Sequence, residues 1–372
     1  MTGVAGVAGA TAAGERELLV AAESLDFART VDRSVVHRRN PTEVFLTDVR
    51  PVGPQGFVAA ALLPAVHPHY TGHTGSANRR LDPLLLVECC RQAETYAAHV
   101  LFDVEPRTAF VLRGWSAELF RPGFAAVVRD ATPGPTELRM TVTTGVPRRV
   151  GGRVRGLDYE FTLRVAGHRI GVVRLAVGYL APAAYTVVRS RGRGGPPPTS
   201  SRLGPAAVAG EPTAPDRVGR RRATDTVLLD VRTAERAVTA GLRVPVENIS
   251  FFDHDHDHVP GMVLLEAARQ VATLATAHWG GDAPHRTVMS RMTASFAAYA
   301  ELDQPVTLTA VPAVPADAAD AAGPAAEPDR VGGSPRPVDV TFHQGGAEIA
   351  RMGLTVTPDA DGTSTTDRER VA

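Results

Sequence analysis

The chain has 372 residues, 40 basic and 40 acidic side chains and 44% hydrophobic residues. A formal charge of zero argues against a nucleic-acid footprint or a membrane surface as partner, and no run of 18 apolar residues marks a membrane span. The N-terminus lacks the basic start and apolar stretch of a secretory signal, so a cytoplasmic location is expected.

In chain order, residues 1–30 are rich in Ala, Gly and charge with weak periodicity and are expected to form a mobile tail or a peripheral helix. The first ordered unit is expected over 31–188. It opens with an extended segment at Glu43–Thr47, then a loop containing His67, His69, Tyr70 and His73. Asp82-Pro83 reads as the N-cap and first position of an apolar helix running to Val100. Because that helix is apolar nearly all round, it should be buried. Alternating stretches at Ala109–Leu119, Glu137–Thr143, Asp158–Val165 and Gly171–Val177 read as antiparallel strands, with Gly167-His168 at a hairpin turn.

Residues 189–222, full of Gly, Pro and Arg, read as a disordered linker. A second unit follows over 223–358, in the same element order. It has an extended segment at Thr226–Asp230 and a loop from Phe252 to Gly261 carrying His254, His256 and His258. Its helix runs from Gly261 to Trp279, and its strands lie at Thr287–Phe296, Val306–Val311, Val338–His343 and Glu348–Thr357. Residues 312–337 read as a flexible insertion and 359–372 as a disordered tail.

The two halves share more than element order. Leu85 to Gln92 and Val263 to Gln270 each place Glu-x-x-Arg-Gln after an apolar run, 178 residues apart, and Arg113 and Arg291 keep that offset. An internal duplication is the simplest account. One buried helix followed by four strands, twice over, is an α+β architecture. It predicts two hot-dog repeats, each an antiparallel sheet wrapped around a central helix and packed on the other as a pseudo-dimer.

On a helix Glu88, Arg91 and Gln92 share one face, as do Glu266, Arg269 and Gln270. Buried charge costs several kcal/mol unless well bonded, so its recurrence in two apolar helices points to a site or an interface. The loop Asp253-His254-Asp255-His256-Asp257-His258 leaves three readings open: a metal site, a structural loop held by Asp–His bonds, or an acid–base role for a histidine. No metal-ligand spacing completes the first of these. Adjacent Cys89 and Cys90 read either as small buried residues or as a reactive thiol pair.

These motifs resemble the A-factor biosynthesis family of actinobacteria, with two hot-dog repeats in one chain. The likeness rests on Asp253-His254 and Asp257-His258-Val259-Pro260-Gly261-Met262 running into Glu266, Arg269 and Gln270. In the first half it rests on His67-Pro68, His69-Tyr70, Asp82-Pro83, Glu88 and Arg91-Gln92, with Val36-His37-Arg38 to Phe45-Leu46-Thr47 upstream. His256 departs from the expected apolar filler.

The resemblance implies transfer of a β-ketoacyl group from acyl carrier protein to the hydroxyl of dihydroxyacetone phosphate, then ring closure to a butenolide phosphate. No cofactor or metal is implied. Glu266 or Glu88 is then expected to serve as a base whose pKa burial raises, helped by His254 or His258. Arg269 or Arg91 is expected to bind the phosphate or hold the neighbouring Glu. Backbone amides near Gly261 are expected to face the thioester oxygen, with Gln92, Gln270, His69 and Tyr70 also lining the site. The second half, with the fuller loop, is expected to hold the working site. A dehydratase or thioesterase on the same scaffold, or an acyl- or lactone-binding module, would share these features.

Overall fold

A computed structural model describes residues 12–75, 81–129, 134–191, 195–203, 210–313 and 334–358. The tails at 1–11 and 359–372 and most of the expected 312–337 insertion lie outside the described residues, as do 192–194 and 204–209. Helix α1 (Ala12–Glu23) is followed by β1 (Leu46–Pro51), β2 (Gly56–Leu63), the central helix α2 (Pro83–Val100) and β3 (Ala109–Leu119). After α3 (Arg121–Arg129) come β4 (Thr136–Thr144), β5 (Arg148–Val150), β6 (Arg153–Val165), β7 (His168–Leu180) and α4 (Pro182–Ser190). The second half comprises β8 (Leu228–Ala234), β9 (Ala237–Leu242), the central helix α5 (Gly261–Gly280), β10 (Thr287–Phe296), β11 (Thr307–Pro312), β12 (Arg336–Gln344) and β13 (Ala347–Pro358).

The sheet is antiparallel and continuous, in the order β1-β2-β4-β6-β7-β3-β10-β13-β12-β11-β9-β8, with β5 on β6. Read outwards from the β3–β10 seam, the two halves have the same strand sequence. At the seam, backbones pair from Arg291 opposite Glu118 to Ser295 opposite Gly114, and α2 packs beside α5. This is the expected pair of tandem hot-dog repeats arranged as a pseudo-dimer.

Local signals account for the framework. Asp82 caps α2 by accepting from Leu84 N at 2.7 Å. Left-handed turns close the last hairpin of each half, at Ala166-Gly167 and Gly345-Gly346. The first of these lies one residue before the expected Gly167-His168. Cys89 and Cys90 are fully buried, and burial pushes both thiols well up, so they act as small core residues.

Several elements escaped the sequence reading. Strand β2 reads Gly-Phe-Val-Ala-Ala-Ala-Leu-Leu, without alternation, because both its faces are covered. Leu18, Ala22 and Leu25 lie on Val58 and Ala60 on its outer side. Residues 12–23 are therefore a docked peripheral helix, the second of the two readings, and not part of a mobile tail that reaches residue 30.

The expected linker at 189–222 is corrected as well, at both ends. Arg189 is buried, with its guanidinium bonded to Glu301 at 2.6 and 2.9 Å and to Asp257 at 3.2 Å. At the other end Thr213 N donates to Leu228 O at 3.0 Å, His73 bridges Arg220 in a β-type pair, and Arg220 is fully buried. Composition argues for disorder only when a segment has nothing to pair with, and these arginines meet carboxylates of the folded body.

Candidate active site

Each central helix carries its Glu-x-x-Arg-Gln face against the segment that enters its own half. Glu88 accepts from Arg91 Nε and Nη2 at 2.7 Å each, from Gln92 Nε2 at 2.8 Å and from Arg38 Nη2 at 2.6 Å. Gln92 also donates to Glu43 O at 2.8 Å and accepts from Phe45 N at 2.9 Å, so it pins the entry strand to the helix. In the second half Glu266 accepts from Arg269, Gln270 and Arg220 Nε, the last at 2.9 Å. Gln270 donates to Asp225 O at 2.7 Å and accepts from Val227 N at 2.9 Å. Gln92 and Gln270 thus hold backbone in both halves.

The second arginine of each network was missed from sequence. Arg38 and Arg220 are 182 residues apart, as are Glu43 and Asp225, and His37 and Gly219 both adopt left-handed backbone between them. The signal was the shared Val-x-Arg-Arg at Val36–Arg39 and Val218–Arg221. It was hidden because the second copy falls in an arginine-rich stretch.

The His-bearing loops cross over. The first-half loop inserts into the second network: Arg220 donates to His69 O at 2.8 Å, and its Nη1 and Nη2 lie 3.2 Å from His73 Nε2 and His69 Nε2. Asp82 accepts from Arg269 Nη1 at 2.7 Å and contacts His73 Nε2 at 2.7 Å. His69 also lies 3.3 Å from Asp225, while Tyr70 packs edge-on against Phe45. The second-half loop inserts into the first network, with Asp253 accepting from Arg39 N and Asn40 N at 2.5 and 2.7 Å and Ser250 meeting Glu43 at 3.3 Å.

The two crossed sites differ in access. Around α5 the side chains of Arg220, Glu266, Arg269, His73 and Asp82 are all 7% exposed or less. Around α2, Arg91 is 25% exposed, His254 29% and His258 28%. Donors are also less used there: Arg38 Nε is buried without a hydrogen-bond partner among the described residues, and so is His254 Nδ1. We call the first site closed and the second open. On access, the open site is a better candidate than the expected one centred on Glu266 and Arg269.

The carboxylates also depart from expectation. Burial would raise Glu88, but the Arg38 and Arg91 guanidiniums outweigh it and hold the carboxyl at about 2. Burial likewise opposes Arg220 and Arg269 at Glu266, and the arginines win again, lowering it. Neither suits a base near neutrality, because the sequence argument included desolvation without the second arginine.

The carboxyl that burial does raise, to about 7, is Glu94 on α2. It accepts from the Tyr179 hydroxyl at 2.8 Å, and Tyr179 pairs with Tyr159 at 2.8 Å. Native Glu94 keeps its proton where an unfolded Glu has lost it, so between pH 4.5 and about 7 stability should fall as pH rises. For a fully buried group the loss is on the order of 3 kcal/mol. Glu94→Gln retains the bond from Tyr179 and should remove this slope, measured as urea midpoints at pH 5 and pH 8. A parent slope that survives in the variant would exclude Glu94 as its source.

In the open site His258 Nδ1 lies 2.6 Å from Asp257 Oδ1, and Asp257 is held by the Tyr185 hydroxyl at 2.8 Å and by Arg189. His254 stacks on His256 at 4.2 Å between centroids. Burial, then the Arg38 charge, lower His254, while burial and the flanking histidines bring His256 to about 3, so both rings are neutral. Asp255 accepts from Ser200 and Ser201. The loop carboxylates are thus engaged by backbone and side-chain donors, which favours the structural and acid–base readings of this loop over metal.

The A-factor biosynthesis hotdog domain model matches this chain twice, over residues 20–177 and 206–358. The chain belongs to the A-factor biosynthesis hotdog family. The second match begins within the stretch first read as linker and includes Arg220. Among relatives, a 2-oxo-3-(phosphooxy)propyl 3-oxoalkanoate synthase of Streptomyces virginiae is 35% identical over 76% of this chain and 87% of its own. One of the same name from Streptomyces coelicolor is 32% identical, over 76% and 82%. A solved pyran synthase domain from the sorangicin pathway is 14% identical over 86% of this chain and 99% of that one, with a TM-score of 0.45. No helix among the described residues of this family member is long and apolar enough to cross a membrane.

Proposed function

We propose that the protein is an acyltransferase that joins a 3-oxoacyl group to one hydroxyl of dihydroxyacetone phosphate. The product is a 2-oxo-3-(phosphooxy)propyl 3-oxoalkanoate, the compound for which the Streptomyces relatives are named. The donor is the thioester on acyl carrier protein. The acyl C–S bond breaks, the C–O ester bond forms, and the hydroxyl proton ends on the departing thiol. Attack of the acyl C2 on the acceptor ketone, with loss of water, then closes a butenolide phosphate.

The reaction is assigned to the open site, and the observation that carries this is the buried Arg38 Nε, without a hydrogen-bond partner among the described residues, next to part-exposed Arg91 on one carboxylate, Glu88. Glu88 takes the Nε–Nη2 edge of Arg91, which leaves Nη1 of this part-exposed guanidinium for a phosphate. His258 donates Nδ1–H to Asp257, which leaves Nε2 as the acceptor for the hydroxyl proton. Glu266, Arg269, Gln270 and His69 then act as the structural partner of that site, while Tyr70, packed on Phe45, lies on the Glu88 side.

Incubation with a 3-oxoacyl thioester and dihydroxyacetone phosphate, followed by mass spectrometry, should show the phosphorylated ester or its butenolide. Free acid alone would indicate a thioesterase, and an unchanged thioester a binding module. Arg91→Lys keeps charge but loses the fork, so KM for the acceptor should rise about tenfold or more with the donor KM unchanged. Equal KM values in parent and variant would remove Arg91 from acceptor binding.

A further inference from the structure

The closed site contains an anion supplied by the chain itself. Asp82 sits at the N-cap of α2, where its Oδ1 accepts both Leu84 N–H and Arg269 Nη1, at 2.7 Å each, while its Oδ2 lies 2.7 Å from His73 Nε2. Every member of that cradle has a counterpart in the open site. Arg269 corresponds to Arg91 and Leu84 to Met262, both 178 residues apart, and His73 corresponds to His254. The last equivalence follows from the loops: His69 meets Asp225 as Ser250 meets Glu43, and His73 and His254 each follow four residues later.

The counterpart of Asp82 itself is Pro260, which has no carboxylate. Its backbone lies at φ −57°, ψ 142°, against −71° and 122° for Asp82, and it gives α5 no side-chain cap. The guanidinium pairs show the same contrast. Arg220 is engaged by Glu266, His69 and His73, whereas Arg38 contacts Glu88 and leaves its buried Nε without a partner among the described residues.

We propose that the acceptor's phosphate binds the open site where Asp82 binds the closed one, between the Met262 amide at the start of α5, Arg91 and His254. The inference rests on the acyl-transfer reading and adds a location to it. A helix N-terminus, a guanidinium edge and an imidazole are together a phosphate receptor. Giving these amides to the phosphate removes them from the thioester oxygen, their expected role. It also gives the closed site a meaning: Asp82 fills it permanently, so the duplicated chain keeps one phosphate subsite and seals the other.

Pro260→Asp tests this directly, because it builds into the open site the carboxylate that closes the other. The variant should fold, with an unchanged or higher Tm from the new cap. Its KM for dihydroxyacetone phosphate should rise at least tenfold, and its binding of inorganic phosphate by calorimetry should weaken to match. Pro260→Ala leaves the start of α5 without a side-chain cap and should keep both values within about threefold of the parent. If Pro260→Asp binds phosphate as the parent does, or both variants lose it equally, the subsite is elsewhere. A fall in kcat or a change in donor KM alone would instead assign these amides to the thioester oxygen and overturn the proposal. Phosphate binding is read without turnover, so failure of the acyl-transfer reading would leave this result distinct.

Discussion

Replacing Arg220 by Leu should cost roughly 3–5 kcal/mol of folding stability, the scale for stripping one partner from a buried ion pair. Arg220 supplies donors to Glu266, to the His69 carbonyl and to two imidazoles, and both Arg220 and Glu266 are fully buried. Its loss leaves Glu266 with Arg269 and Gln270 and loosens the loop that crosses from the first half. Arg38→Leu should cost less, because Arg38 makes fewer bonds and its partner Arg91 is part-exposed. Urea midpoints of the two variants decide the matter, and the folded fraction of Arg220→Leu should keep its turnover. Equal, small shifts would mean that the closed network is no more structural than the open one.

The difference between those arginines also marks where sequence reasoning stopped. The helix motif was legible because Glu, Arg and Gln interrupt apolar runs at helical spacing, and periodicity exposes such a face directly. Asp82 announced itself as an N-cap. What lay beyond reach was pairing across the molecule: Arg38 meets Glu88 from 50 residues away, and Arg220 meets Glu266 from 46. No local pattern records those distances. Composition then misled, since an isolated arginine-rich stretch reads as solvated. The error propagated, because a buried glutamate with one arginine invites a raised pKa, and with two it does not. Strand β2 was lost for a related reason, since its alanine run loses alternation only because α1 covers its second face.

The asymmetry of the crossed loops follows from a few positions. Asp82 against Pro260 decides which helix start carries a carboxylate, and the first-half loop places His69 and His73 directly on Arg220. The second-half loop turns its carboxylates elsewhere: Asp253 onto the backbone of Arg39 and Asn40, Asp255 onto Ser200 and Ser201, and Asp257 onto Tyr185 and His258. Among the described residues, none of these carboxylates bonds Arg38 or Arg91. The loop with more histidines therefore belongs to the open site, but the helix facing it is that of the first half.

His258→Gln should lower ester formation by about 10²–10⁴-fold, the range for losing a positioned general base. The ring is 28% exposed and its bond to Asp257 lies at the rim, so the variant should keep its fold. Glutamine can occupy the space but cannot accept and pass on a proton at neutral pH. Asp257→Asn should act through the same proton: it replaces a group that can only accept from Nδ1–H by an amide that can also donate to Nδ1, and so reduces the share of molecules presenting a basic Nε2. Its effect should therefore be smaller than that of His258→Gln, and the double variant should be no slower than the single histidine variant, because both act on one step. Glu266→Gln is the control from the closed site, expected to lower the unfolding midpoint while the folded enzyme turns over near the parent rate. If instead Glu266→Gln abolishes transfer in a stably folded protein and His258→Gln does not, the catalytic centre lies at α5 and the assignment of open and closed sites must be reversed.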